Sequence, residues 1–210
     1  VELVDKLEDK MQLIALHLTM AYEAKVNYQD VFGQVRIWDC IIYHHLRSKN
    51  IVPPAIQESK TSSGYEGAYV KDPVVGFHDW VCSFDLNSLY PHLIMQYNIS
   101  PETMVGFEPN RVNVENMLNQ KSDLSDLDNR TMTPNGAQFR TDKRGFLPEI
   151  MDTLYQERVV YKKKMIEAQK MFQKTGDKKY EFEIAKNHNI QLARKLSLNS
   201  AYGAIGNQYF

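Results

Sequence analysis

The apolar run Trp80-Val-Cys-Ser-Phe-Asp85 carries a carboxylate to its C-terminal end and leads at once into Leu86-Asn-Ser-Leu-Tyr-Pro91, a turn and the opening of a helix. The first amides of a helix point outward and suit phosphate oxygens, and a carboxylate beside them suits Mg²⁺ bridging to the same phosphates. An Asp at a strand end is also a frequent helix cap. The local pattern therefore leaves metal binding and capping both open for Asp85.

A second group lies near the C-terminus, in Gln191-Leu-Ala-Arg-Lys195-Leu-Ser-Leu-Asn199-Ser-Ala-Tyr-Gly203. Gln191, Lys195 and Asn199 are four apart and share one helical face, so three polar groups can line a groove. Arg158 and Lys162, also four apart on an earlier helix, could meet an anion together with Lys195 through charge-assisted hydrogen bonds. The alternative for each is exposed helix charge, the commoner fate of a lysine.

The elements that would position these groups follow from periodicity and punctuation. Leu3, Leu7, Met11, Ile14 and Leu18 predict one long amphipathic helix over about 1–26, and Ile37, Cys40, Ile41 and Leu46 a second over 35–49, stopped by Asn50 and Pro53-Pro54. Residues 53–64 read as a linker. Ala68–Val70 and Trp80–Asp85 read as strands, residues 88–97 as a helix and Thr103–Phe107 as a short strand, while residues 109–136 read as a polar excursion. Pro148 opens a helix to about Lys174, Thr175-Gly-Asp177 turns the chain, and a second helix covers 178–200. These two form an antiparallel hairpin. His44 and His45 stand without a cluster at ligand spacing and read as ordinary histidines.

Composition narrows the class. The 210 residues carry 25 Lys+Arg against 26 Asp+Glu, with 43% hydrophobic residues, which fits a globular chain able to bury a core. Two cysteines, Cys40 and Cys82, are too few for a disulfide framework or a structural zinc, and a reduced, intracellular setting is expected. No run approaches the roughly 18 apolar residues of a membrane helix. Residues 1–140 hold 12 basic and 18 acidic side chains, whereas residues 141–210 hold 13 and 8. One face is thus suited to an anionic partner, or is simply a solvated lysine-rich surface.

Asp85-Leu-Asn-Ser-Leu-Tyr-Pro91 resembles the palm motif of family B DNA polymerases, and Lys195-Leu-Ser-Leu-Asn-Ser-Ala-Tyr-Gly203 resembles their fingers motif. Asn98-Ile-Ser-Pro-Glu-Thr-Met104, Gly145-Phe-Leu-Pro148 and Gly203-Ala-Ile-Gly-Asn207 are similar to the replicative polymerases of T-even-type bacteriophages. The resemblance implies an α+β fold in five parts: helices flanking the exonuclease and palm over 1–52, a linker over 53–64, a partial antiparallel palm sheet over 65–144, a fingers hairpin over 145–203, and a return to the palm over 204–210. It implies that Asp85 is the first catalytic carboxylate, bridging two Mg²⁺ ions, with the Leu86 carbonyl on one of them. Ser88, Leu89 and Tyr90 would offer amides to the triphosphate, and Tyr90 would exclude a ribose 2′-hydroxyl. Arg158, Lys162, Lys195 and Asn199 would grip the triphosphate, with Gln191 in support. Tyr202 and Gly203 would face the nascent base pair, and Tyr65, Gly67 and Ala68 the template strand.

The implied partners are primer-template DNA and dNTPs, with a sliding clamp and replisome proteins in the full system, in the cytoplasm of an infected bacterium. The family's second Asp-x-Asp motif does not occur after residue 203, and Asp126-Leu-Asp128, which has the spacing, is expected to be loop. The tip Thr175-Gly-Asp177 is shorter than in T-even-type fingers. The chain is accordingly expected to be the middle of a longer polymerase, inactive alone, with self-association through residues 1–50. A non-catalytic nucleotide- or DNA-binding module, or one piece of a split enzyme, is the alternative, separable by whether activity returns on adding the missing parts.

Overall fold

The computed structural model describes residues 1–53 and 70–207. Seven α-helices and a small antiparallel sheet are found among them, an α+β arrangement dominated by helix. The helix expected over 1–26 is two, α1 (Glu2–Met11) and α2 (Leu13–Ala24), because Gln12 adopts left-handed backbone with φ 52°. The break is closed locally: the Gln12 amide donates to the Glu8 carbonyl at 2.7 Å, and the Glu8 carboxylate accepts the Ile14 N–H at 3.1 Å. The apolar stripe Leu3, Leu7, Ile14 and Leu18 faces outward, each residue more than half exposed. It is Leu16, Met20, Ala21 and Ala24 that α2 buries, against Val31, Ile37 and Ala193.

Helix α3 (Gln34–Ser48) matches its expectation, and just beyond it Asn50, with φ of 58°, lets the Ile51 amide reach back to the Leu46 carbonyl at 3.0 Å. Neighbouring α3 residues serve two cores, Ile37 in the one just described and Trp38 in a second with Ile94, Leu147, Met151, Leu154, Leu198 and Ala201.

Residues 80–85 form no strand. No segment among the described residues pairs with this stretch, and without a ladder its apolar side chains stay in solvent, Trp80 at 99% and Phe84 at 93% exposed. The expected strand over Ala68–Val70 and the linker lie largely outside the described residues. Helix α4 (Leu89–Tyr97) and strand β1 (Met104–Phe107) form where the sequence predicts them. The excursion over 109–136 holds more order than expected, a short α5 (Val114–Leu118) and β2 (Arg130–Met132). Strand β3 (Ala137–Arg140) lies centrally, in the order β1-β3-β2, pairing Thr131 with Phe139 on one side and Phe107 with Ala137 on the other.

Helix α6 (Phe146–Thr175) stops at Gly176, whose φ of 66° favours glycine and whose N–H caps the Phe172 carbonyl at 2.8 Å. Helix α7 (Lys179–Ile205) returns along it and continues through Gly203, beyond the expected end at 200. The base of this hairpin is fastened to the end of α4. Asn98, 7% exposed, donates through Nδ2 to the Arg140 and Lys143 carbonyls at 2.6 and 2.8 Å and accepts the Gly145 N–H at 2.9 Å. Glu102 accepts the Phe146 N–H at 2.6 Å and Ser100 the Leu147 N–H at 3.4 Å, which satisfies the first amides of α6. The motifs Asn98–Met104 and Gly145–Pro148 thus work as one clamp.

Candidate active site

Ser88 caps α4 in left-handed backbone, φ 52°, and turns its hydroxyl toward the hairpin, where Arg158 Nη1 donates to Ser88 Oγ at 3.2 Å. His92 Nδ1 lies 2.9 Å from the Ser88 carbonyl, so that nitrogen carries the proton, and its ring meets Tyr155 edge-on at 4.8 Å. The N–H groups of Leu89 and Tyr90, as the first residues of α4, have no acceptor within the helix. Two residues beyond Ser88, the Tyr90 ring stacks on Tyr202 of α7, centroids 4.7 Å apart and planes 14° apart. The start of α4 therefore meets both arms of the hairpin.

Among the described residues, Arg158, Lys162 and Lys195 pair with no carboxylate. Lys162, Lys195 and Asn199 are exposed, Gln191 is half-buried, and Gly203 lies open on the outer side of α7. The Arg158 Nε is buried without an acceptor in the protein. A cation paired with no carboxylate at the mouth of a helix N-terminus, as Arg158 is, favours an anion there.

The carboxylate side is less developed. Asp85 and Leu86 lie exposed, in neither helix nor strand, and no cluster of three or more His, Cys, Asp or Glu able to hold a metal occurs among the described residues. An Asp carboxylate and a backbone carbonyl are hard oxygen donors of the kind Mg²⁺ takes, yet these two alone do not make a site. Asp126 is committed elsewhere, paired with Arg111, and that guanidinium holds its carboxyl below the usual range. It and Asp128 belong to the loop before β2, as expected. Tyr65, Gly67 and Ala68 lie outside the described residues.

Sequence reasoning missed two attachments behind the hairpin. The Trp38 indole, fully buried, donates to Ser200 Oγ at 3.1 Å, and Arg194 pairs with Glu23 of α2 and with Glu157 of α6. Nothing in the local spacing signals either, since each joins residues far apart in sequence.

The family model described as DNA polymerase family B matches residues 29–209. The chain belongs to this family. Among its relatives, the DNA-directed DNA polymerase of Escherichia phage RB69 is 31% identical over 98% of this family B chain and 27% of its own length. That of Enterobacteria phage T4 is 32% identical over 79% of the chain and 18% of its own length. The DNA polymerase delta catalytic subunit of Caenorhabditis elegans is 29% identical over 96% of the chain. This family B chain thus spans roughly a quarter or less of the length of these relatives. The solved family B DNA polymerase of the archaeon Pyrobaculum calidifontis superposes with a TM-score of 0.63 and 22% identity, covering 95% of this chain and 23% of its own, a likeness of fold.

Proposed function

We propose that the chain is part of a DNA-directed DNA polymerase and forms the incoming-nucleotide side of its active site, with residues 65–144 as partial palm and 145–203 as fingers. The observation that carries this reading is the meeting of α4 with both hairpin arms, Arg158 on Ser88 and Tyr202 on Tyr90, beside cations that no carboxylate neutralises among the described residues. A dNTP triphosphate would lie against the amides of Ser88, Leu89 and Tyr90 and meet Arg158, Lys162, Lys195 and Asn199, with Gln191 in support. Tyr90 would reject a ribose 2′-hydroxyl, Tyr202 and Gly203 would face the nascent pair, and Tyr65, Gly67 and Ala68 the template.

Asp85 and the Leu86 carbonyl would give oxygens to Mg²⁺, which when bound as two ions neutralises charge developing in phosphoryl transfer. One carboxylate does not hold two Mg²⁺ tightly, because each takes several oxygen ligands. The chain alone is therefore expected to be inactive. Primer extension by the purified chain, lost in Asp85→Ala, would overturn that expectation. Binding of Mg·dATP that weakens with salt supports the nucleotide site. Template-directed extension restored by adding a polypeptide that carries the second aspartate motif and a thumb separates an enzyme part from a non-catalytic binding module.

Primer-template DNA, a sliding clamp and replisome proteins are the partners this reading implies, and the cytoplasm of an infected bacterium the setting. None of the described helices is long and apolar enough to cross a membrane. The outward stripe Leu3, Leu7, Met11, Ile14 and Leu18 supports self-association of the isolated chain, which sedimentation velocity over a concentration series reads directly.

A further inference from the structure

We propose that Arg194, held by Glu23 and Glu157, is a positioning residue that fixes the roll of both hairpin helices and so aims Lys195 and Arg158 at the triphosphate; this rests on the nucleotide-site reading above. Arg194 has a side chain 14% exposed and meets carboxylates from two different helices. Its Nη2 pairs with Glu23 Oε2 of α2, and its Nε lies 2.8 Å from Glu157 Oε2 of α6. Arg194 Nε is buried without an aligned hydrogen-bond acceptor, so the contacts are ion pairs, and a planar cation held between carboxylates of two helices ties the separation and roll of both. A partly buried pair of this kind is weak evidence for stability, because desolvation offsets much of the attraction, whereas a role in orientation uses its geometry directly.

The helical register carries the argument. Successive residues stand about 100° apart around a helix. On α7, Arg194, Leu198 and Ala201 form one stripe, and Leu198 and Ala201 are each 1% exposed. The next stripe, one residue on, is Lys195, Asn199 and Tyr202, all exposed. On α6 the same offset recurs: Leu154 and Glu157 belong to the anchored side, and Arg158, one residue on, reaches Ser88. Lys195 thus directly follows Arg194, and Arg158 directly follows Glu157, while Lys162 stands one turn beyond Arg158. The Trp38–Ser200 bond pins α7 again, beside Asn199. A roll of α6 that broke the bridge would swing Arg158 off Ser88, and a roll of α7 would turn Lys195 together with Tyr202 away from Tyr90.

The test compares Glu23→Gln, which keeps the shape and removes the charge, with the unaltered chain in binding Mg·dATP and in deuterium uptake at the amides of 190–200. Expected are a roughly fivefold weaker affinity and faster uptake. Ile37→Val, which thins the same core without touching the bridge, is the control for general loosening. It should lower the melting temperature while leaving affinity within about twofold. Unchanged uptake and affinity in Glu23→Gln, or an equal loss of affinity in Ile37→Val, overturns the positioning role. Lys195→Ala tests the underlying reading separately: if it leaves Mg·dATP binding intact, or if the unaltered chain does not bind the nucleotide, the nucleotide site and the role built on it both fall. Faster uptake in Glu23→Gln would then show only that the bridge holds α7.

Discussion

Tyr90 and Tyr202 lie face to face, 4.7 Å between ring centroids, and this contact closes the gap between the opening of α4 and the far arm of the hairpin. Both rings are partly open to solvent, at 42% and 40% exposure, so the stack is worth about 0.5–1 kcal/mol. A double-mutant cycle with Tyr90→Ala and Tyr202→Ala, read by chemical denaturation, is expected to give a coupling of that size. In the restored enzyme, Tyr90→Ala is also expected to narrow the preference for dATP over ATP, measured by primer extension.

Replacing Asn98 removes three hydrogen bonds at once from a buried position and strands the Gly145 N–H and two carbonyls. Asn98→Ala is expected to destabilise the chain by about 3 kcal/mol. Asn98→Asp keeps the acceptor for Gly145 but turns a carboxylate toward two carbonyl oxygens, so it should lose nearly as much. Urea midpoints of the two variants check both statements.

At Gly145 the backbone is ordinary, φ −74°, and the constraint is space. A Cβ there would stand 2.5 Å from the Cβ of Ser100, a side chain that is itself buried and bonded. Gly145→Ala is therefore expected to cost about 1–3 kcal/mol. Adding Ser100→Gly should recover part of the loss, although it also removes the hydroxyl that accepts Leu147 N–H. A double variant no more stable than Gly145→Ala would refute the steric account.

Two groups where the end of α3 meets the start of α6 both lose their contribution as pH falls, at successive stages. Burial, and then the charge of Lys49, push His45 below its ordinary value, so the unfolded chain binds its proton first as pH falls. Stability from this group is complete above about pH 6.5 and declines below it. Glu149 is held low, chiefly by the hydrogen bond from Lys49, so its contribution is present above its unfolded value and lost only in more acid solution. Melting temperature should begin to fall just below about pH 6.5, and His45→Gln should flatten that limb while leaving the more acid limb in place.

The long helices were legible because α3, α4, α6 and α7 combine apolar periodicity with clear stops such as Asn50 and Gly176. The break at Gln12 was not, since a glutamine in left-handed backbone, capped by its own neighbours, leaves no mark on the periodic pattern. Residues 80–85 read as a strand from composition, but strand formation depends on a pairing partner and not on the segment itself. Strand β2, three residues long, exists through its register with β3. At the site, the sequence singles out Ser88, Tyr90 and Tyr202 through their motifs and Arg158 through its spacing from Lys162, yet the bond between Ser88 and Arg158 spans 70 positions and only folding reveals it. The clamp built on Asn98, Ser100 and Glu102 lay within a recognisable motif whose work proves to be structural.

Trp38 and Trp80 are the chain's two tryptophans, one wholly enclosed and bonded to Ser200, the other almost fully in solvent. Their emission should separate into a blue component from the first and a red one from the second. Trp80→Phe would leave a single tryptophan, at the root of α7, to be excited selectively above the tyrosine band. Any motion of the hairpin on meeting a nucleotide could then be followed optically, in real time and without a label, through the loosening of one indole N–H.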